Sequence, residues 1–112
     1  MRTVEKPWGK EEIWAETDRY AGKFLYIEPG EMLSRQYHER KEETICVIDG
    51  VLQLEIGQYI HETRYLYPGD TFHVTPGTIH RFCCFGRQAV KLVEVSTPEL
   101  DDVVRLEDKY AR

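Results

Sequence analysis

Two histidines, a glutamate and a glutamine stand in this chain where strand geometry lets their side chains meet. Gln36-Tyr37-His38 follows a Pro29-Gly30 turn signal, and in an extended chain Gln36 and His38 share one face while Tyr37 takes the other. Glu43 then opens the β-branched run Thr44-Ile45-Cys46-Val47-Ile48, which reads as a returning strand that brings its carboxylate back beside them. A second stretch, from Gly69 to His80, ends on another histidine just after a Pro76-Gly77 turn. Two imidazoles, a carboxylate and an amide oxygen make a mixed nitrogen and oxygen donor set. It suits a divalent metal, zinc foremost, with manganese, cobalt, nickel or iron as alternatives, rather than an iron-sulfur cluster. Four protein ligands on a barrel wall leave one or two positions open for substrate oxygens. The amide of Gln36 is a weaker donor than imidazole, so it leaves such an ion more Lewis acidic and less tightly held. His61 and His73 lack this spacing; His61 reads as part of a solvated strand, and His73 lies near enough to the cluster to orient a ligand.

The segments that must position these groups read as strands. Alternating, β-rich runs occur at Lys23 to Glu28, Ser34 to His38, Thr44 to Ile48, Val51 to Ile56, Gln58 to Thr63, Thr71 to Thr75, Arg81 to Phe85 and Val90 to Val95. Gly and Pro punctuate them, which predicts an antiparallel sandwich or barrel. Asp49-Gly50 is the strongest hairpin signal, because that pair tolerates positive φ angles. Residues 1–22, broken by Pro7 and Gly9, are expected to form an extended arm, 23–97 the barrel, and 98–112 a charged tail holding at most a turn of helix or packing across the barrel. Trp8, Trp14, Tyr20, Tyr26 and Tyr37 read first as packing residues, with Trp8 an alternative cover for a sugar face.

At 112 residues the chain is expected to be one domain with a real core. The net charge of -5, without any long basic block, argues against nucleic acid and acidic membranes as partners and points to small molecules or proteins. Three cysteines make a disulfide framework a poor fit and reduced thiols the expectation. With no stretch of roughly 20 apolar residues and no signal-peptide core at the start, a cytoplasmic address is expected.

The first cluster is similar to the first motif of the cupin superfamily, with Gly30, Gln36, His38, Glu43 and Gly50 in register and Gln36 where most cupins carry histidine. Gly69, Gly77 and His80 match the second motif, in which Thr75 replaces a proline and Cys84 an asparagine. Within the cupins the chain resembles the type II mannose-6-phosphate isomerase domain over nearly its whole length. The matching segments are Lys6-Pro7-Trp8-Gly9, Arg19-Tyr20 with Lys23, Leu33 to His38, Glu94-Val95 and the tail from Asp101 to Arg112. That family carries glutamine at the Gln36 position and ends in Tyr-Gly-Arg where this chain has Tyr110-Ala111-Arg112.

The resemblance implies an all-β, single-domain cupin, a double-stranded β-helix or jelly-roll barrel. It further implies interconversion of mannose 6-phosphate and fructose 6-phosphate on a metal held by Gln36, His38, Glu43 and His80. Such a domain usually follows a GDP-mannose pyrophosphorylase domain, which these residues do not include, so the isomerase portion is expected to stand alone. The reaction moves a proton between neighbouring carbons through an enediol and needs a base and a charge stabiliser. Glu94, alternating with Val93 and Val95, is the candidate base. Lys23 and Arg112, the latter by resemblance to the family's terminal arginine, would neutralise the enediolate or bind phosphate. Arg35, Arg81 and Lys10 are weaker phosphate candidates. The rival readings are a sugar-binding or assembly cupin without turnover and a metal-dependent dioxygenase. Apolar alternation at Phe24 to Ile27 and Val90 to Val95 exceeds what one small barrel buries, so a homodimer through strand exchange or sheet packing is expected.

Overall fold

The computed structural model describes residues 1–59 and 61–110. Its strands, in chain order, are β1 (Arg2–Lys6), β2 (Gly9–Glu16), β3 (Ala21–Ile27), β4 (Arg35–Tyr37), β5 (Glu43–Asp49), β6 (Leu52–Ile56), β7 (Glu62–Leu66), β8 (Thr71–Val74), β9 (His80–Cys83), β10 (Val90–Ser96) and β11 (Val104–Glu107). They form a six-stranded sheet, ordered β1-β2-β3-β10-β5-β8, facing a five-stranded sheet, ordered β11-β4-β9-β6-β7. All pairings are antiparallel. Among the described residues no helix is long and apolar enough to cross a membrane.

Strand alternation explains how one sandwich contains both an oily core and a polar chamber. The inward residues of β3 are Lys23, Leu25 and Ile27, those of β10 are Glu94, Leu92 and Val90, and those of β5 are Glu43, Ile45 and Val47. Each strand thus offers one charge at one end and two apolar side chains at the other. Register aligns them, since Leu92 pairs with Leu25 on one side and Val47 on the other, while Glu94 pairs with Lys23 and Ile45. The apolar ends pack on Trp8, Leu33, Leu52, Leu54 and Phe82 in one buried cluster. Each fully buried Leu or Ile there contributes about 1.5–3 kcal/mol by leaving water. The charged ends are left to face one another across the remaining space.

Several expectations change. The segment expected as an arm is extended, but β1 pairs along its whole length with the first part of β2, and β2 pairs with β3, so it belongs to the larger sheet. Asp49-Gly50 does turn the chain, with Gly50 at φ 77, yet it passes from β5 in one sheet to β6 in the other and closes no hairpin. Alanine there would bring a Cβ to 2.5 Å from the Ala89 carbonyl oxygen. The strand expected at Gln58 to Thr63 begins only at Glu62. The tail holds no helical turn of its own among the described residues; it contributes β11, which pairs with β4.

The two sides of the sandwich differ. On one, β7 and β8 are joined by a short turn in which Tyr67 N donates to Asp70 Oδ2 at 2.8 Å and Gly69 N to Val47 O at 2.8 Å. On the other, β1 and β11 are the edges of their sheets, and both line the cavity between the layers.

Candidate metal centre

His38 lies just past β4, Glu43 opens β5 and His80 opens β9, so three strand ends deliver the three side chains. Local bonds tie these ends together. Gly77 N donates to the His38 carbonyl at 2.7 Å, which fixes the turn before His80 against the strand carrying the other histidine. The Asp102 carboxylate accepts the backbone N–H groups of Glu39, Arg40 and Lys41 at 3.1, 2.7 and 2.9 Å, shaping the loop between His38 and Glu43.

The result is a buried trio whose ligand atoms all lie within 4.8 Å of one another. Glu43 Oε1 is 3.3 Å from His38 Nε2 and 3.4 Å from His80 Nε2. Each imidazole contacts a backbone carbonyl through its other nitrogen: His38 Nδ1 lies 2.6 Å from Asp102 O, and His80 Nδ1 lies 2.9 Å from Thr78 O. A carbonyl only accepts, so Nδ1 of each ring carries a proton and Nε2 turns toward Glu43. Held that close to a carboxylate, each Nε2 either carries a proton itself or shares a cation with Glu43. His80 Nε2 and Glu43 Oε2 are also buried without a hydrogen-bond partner. Two oriented Nε2 atoms and a carboxylate could hold a metal ion, with the two backbone carbonyls as the outer shell that fixes the rings.

Behind the trio runs a chain of buried charges. Lys41 Nζ lies 3.3 Å from Glu43 Oε2 and 3.1 Å from Glu94 Oε2, and Lys23 Nζ lies 3.7 Å from Glu94 Oε2 and 3.3 Å from Glu11 Oε1. Three carboxylates thus share two ammonium groups, an excess of negative charge that a bound cation would offset. Burial pushes Glu94 up to about 7, and the negative Glu43 adds to the rise against the opposing pull of Lys23 and Lys41. Burial also disfavours charge on Glu43, but the imidazoles, Glu94 and Lys41 outweigh it and hold that carboxyl well below its usual range. For Lys41, burial works against the ammonium, yet Glu94 and Glu43 win and raise its pKa.

The surrounding cavity of about 310 Å³ is lined by Gln36, His38, Glu43, Glu94, Lys23 and Lys41, among others. That size is within the usual range for small-molecule sites. Gln36 is paired with His80 in the β4/β9 register, and its Oε1 accepts the Ser34 hydroxyl at 2.6 Å. Arg35 and Arg81 are not among the lining residues. Arg35 donates to Glu107, to Gly57 O and to Glu55, and Arg81 donates to Leu33 O, so both guanidinium groups are engaged away from the cavity. Lys10 sits over the Tyr26 ring at 4.8 Å. Trp8 is buried in the core cluster and also lines the cavity. His73 is exposed against Glu42 and His61 lies 3.9 Å from Glu55, neither of them in the trio. Arg112 lies outside the described residues. The sequence reading missed Lys41, Asp102 and Glu11. Lys41 hides in the charged run Glu39 to Glu43, which reads as a solvated loop.

The family model described as mannose-6-phosphate isomerase C-terminal matches residues 1–108. The mannose-1-phosphate guanylyltransferase ManC of Salmonella typhimurium is 34% identical over 114 residues, which covers 99% of this chain and 23% of that protein. The alginate biosynthesis protein AlgA of Pseudomonas aeruginosa is 28% identical over 97% of this chain and 23% of its own length. The chain therefore spans about a quarter of the length of these curated relatives. Among solved structures, KdgF from Halomonas sp. superposes with a TM-score of 0.78 at 22% identity, covering 90% of this chain and 89% of that one. That likeness establishes the fold, the double-stranded β-helix of the cupins.

Proposed function

Because the chain belongs to the mannose-6-phosphate isomerase C-terminal family, we propose that it is a metal-dependent aldose-ketose isomerase interconverting mannose 6-phosphate and fructose 6-phosphate. The observation that carries this reading is the oriented His38, Glu43 and His80 trio, two of whose members, His38 and Glu43, line one cavity with a buried carboxylate, Glu94, whose pKa is pushed up to about 7. Isomerisation needs both: a site for a charge-stabilising ion and a group able to take and return a proton near neutral pH.

In this reading His38, Glu43 and His80 hold a divalent ion, with Gln36 as a fourth donor after its amide oxygen leaves the Ser34 hydroxyl. Such an ion supplies Lewis acidity toward the sugar carbonyl and its neighbouring hydroxyl. Glu94 takes the proton from C2 of the open-chain aldose and returns it to C1 while the hydroxyl proton passes from O2 to O1 across the enediol, and the reverse reaction uses the same carboxylate. Lys41 and Lys23 flank Glu94 at 3.1 and 3.7 Å and balance the negative charge that the enediol stage adds to a dry site. Asp102 O keeps the His38 ring turned so that its Nε2 faces the centre. Arg112 retains by resemblance its place as a further anion partner. The expected homodimer would cover the outer face of the larger sheet, where Trp14 and Val95 are 45% and 51% exposed.

The test is metal content and turnover measured together. Protein stripped by chelation and reloaded with zinc, manganese, cobalt or nickel should convert mannose 6-phosphate with at least one of them. His80→Ala should bind the ion at least about 10-fold more weakly and lose turnover. Full metal loading of a folded protein without conversion would overturn the assignment.

A further inference from the structure

We propose that the mouth of the cavity is a phosphoryl subsite anchored by Arg105, with Lys6 reaching the same group from the facing edge strand; this rests on the reading of the cavity as a sugar-phosphate site. The first argument is a charge account of the cavity wall. Arg2 is tied to Glu16 at 2.9 Å, Lys23 to Glu11 at 3.3 Å, and Lys41 to Glu94 at 3.1 Å. Arg105 and Lys6 also line the cavity, and neither has an ion pair or side-chain hydrogen bond among the described residues. Opposing them on the lining, the exposed Asp101 is the carboxylate without an ion pair. Two cations left open at the mouth, where every other cation on the lining is already tied to a carboxylate, mark where an anion is received.

Register supplies the second argument. Arg105 pairs with Gln36 across β11 and β4, and Gln36 pairs with His80 across β4 and β9. Arg105 is thus on the same row as the metal-centre residue His80 and two strands away, roughly 10 Å at the usual strand spacing. A hexose 6-phosphate holds its carbonyl and its phosphate at opposite ends of the carbon chain, so one end can reach the trio while the other reaches the mouth. Lys6 belongs to β1 and Arg105 to β11, the two strands that border the open side of the sandwich.

A third observation comes from the wall beside Lys6. The indole Nε1 of Trp8 is buried, has no hydrogen-bond partner, and belongs to a residue lining the same cavity. An unpaired donor there suits an oxygen-rich ligand. Arginine matches phosphate by two parallel N–H bonds, a geometry that Arg35 and Arg81 cannot offer because carboxylates and carbonyls already occupy them.

The experiment is calorimetric titration of the metal-loaded full chain with inorganic phosphate and with mannose 6-phosphate, for the wild type, Arg105→Gln and Lys6→Gln. Both ligands should bind the wild type, and each should bind Arg105→Gln about 10-fold or more weakly, as expected for a charge-assisted contact. Lys6→Gln should lose less but in the same direction. In turnover, the KM for mannose 6-phosphate should rise by a larger factor than kcat falls. Should Arg105→Gln fold poorly, Arg105→Lys keeps the charge without the fork and should fall between the two. Wild-type phosphate affinity retained in Arg105→Gln, or no phosphate binding by the wild type, overturns the subsite even if the isomerase is active. Phosphate binding that is lost in Arg105→Gln while no metal yields isomerase turnover upholds the subsite and overturns the isomerase reading.

Discussion

In the proposed isomerase Glu94 would have to do two things that conflict in water: hold a proton at neutral pH and give it up to a neighbouring carbon. Full burial beside Glu43 meets the first demand, and the two ammonium groups beside it keep the second within reach. Replacing it tests this without disturbing the trio. Glu94→Gln should keep its metal while turnover falls about 10²–10⁴-fold, the usual worth of a positioned proton carrier; a variant that keeps near-full activity would remove Glu94 from the chemistry. Which side chains face this chamber was legible wherever strand alternation was applied consistently. Gln36 and His38 bracket Tyr37, and Glu94 lies between Val93 and Val95. The same rule, applied to Arg35 and Arg81, would have turned them away, since each neighbours an inward residue, Gln36 and His80. Lys41 was not legible, because nothing local distinguishes a lysine that a folded loop will bury from one that stays in solvent.

The segment from Leu100 to Val103 links the tail to the metal-centre loop through one residue. Asp102 offers its carbonyl to His38 and its carboxylate to three consecutive backbone N–H groups. Those N–H groups, of Arg40, Lys41 and Glu39, hold its carboxyl down to about 2. A carboxyl whose pKa falls on folding stabilises the fold above its unfolded pKa and loses that contribution as pH drops through the folded value. Asp102 should therefore add to stability above about pH 4 and lose its contribution between about pH 4 and 2. Acid unfolding followed by circular dichroism checks this: Asp102→Asn should start less stable at neutral pH and lack that part of the acid loss. Identical acid profiles would show that the latch contributes nothing. The tail's charged composition concealed β11, whose pairing depends on β4 and not on its own sequence. Asp49-Gly50 was misread for a related reason. The pair signals a sharp turn, but whether the chain comes back alongside itself or crosses to another layer is decided by which strands later flank β5, namely β10 and β8.

The whole molecule is a sandwich with an apolar half that holds it together and a polar half that gathers the buried charges. Two layers of alternating short strands were readable from the pattern of turns and β-branched runs. The order of strands within each sheet was not, because it rests on pairings between segments far apart in the chain, such as β3 with β10. Placing three carboxylates and two lysines inside such a small body leaves an electrostatic cost that a cation would relieve. Metal binding should therefore register in global stability. Saturation at about 100 times the dissociation constant adds about 2.7 kcal/mol, which for a domain of this size raises Tm by ~10–20 °C; chelation should reverse the rise, and His80→Ala should cut it by about half or more. A Tm indifferent to every divalent ion would mean that the trio holds none.

The most direct measurement is a proton NMR time course of mannose 6-phosphate with chelator-stripped protein, continued in the same tube after zinc or manganese is returned. The account predicts a flat spectrum at first, then growth of fructose 6-phosphate signals toward an equilibrium mixture, with no such growth for Glu94→Gln. Mannose 6-phosphate left unchanged by folded, metal-loaded protein would contradict it.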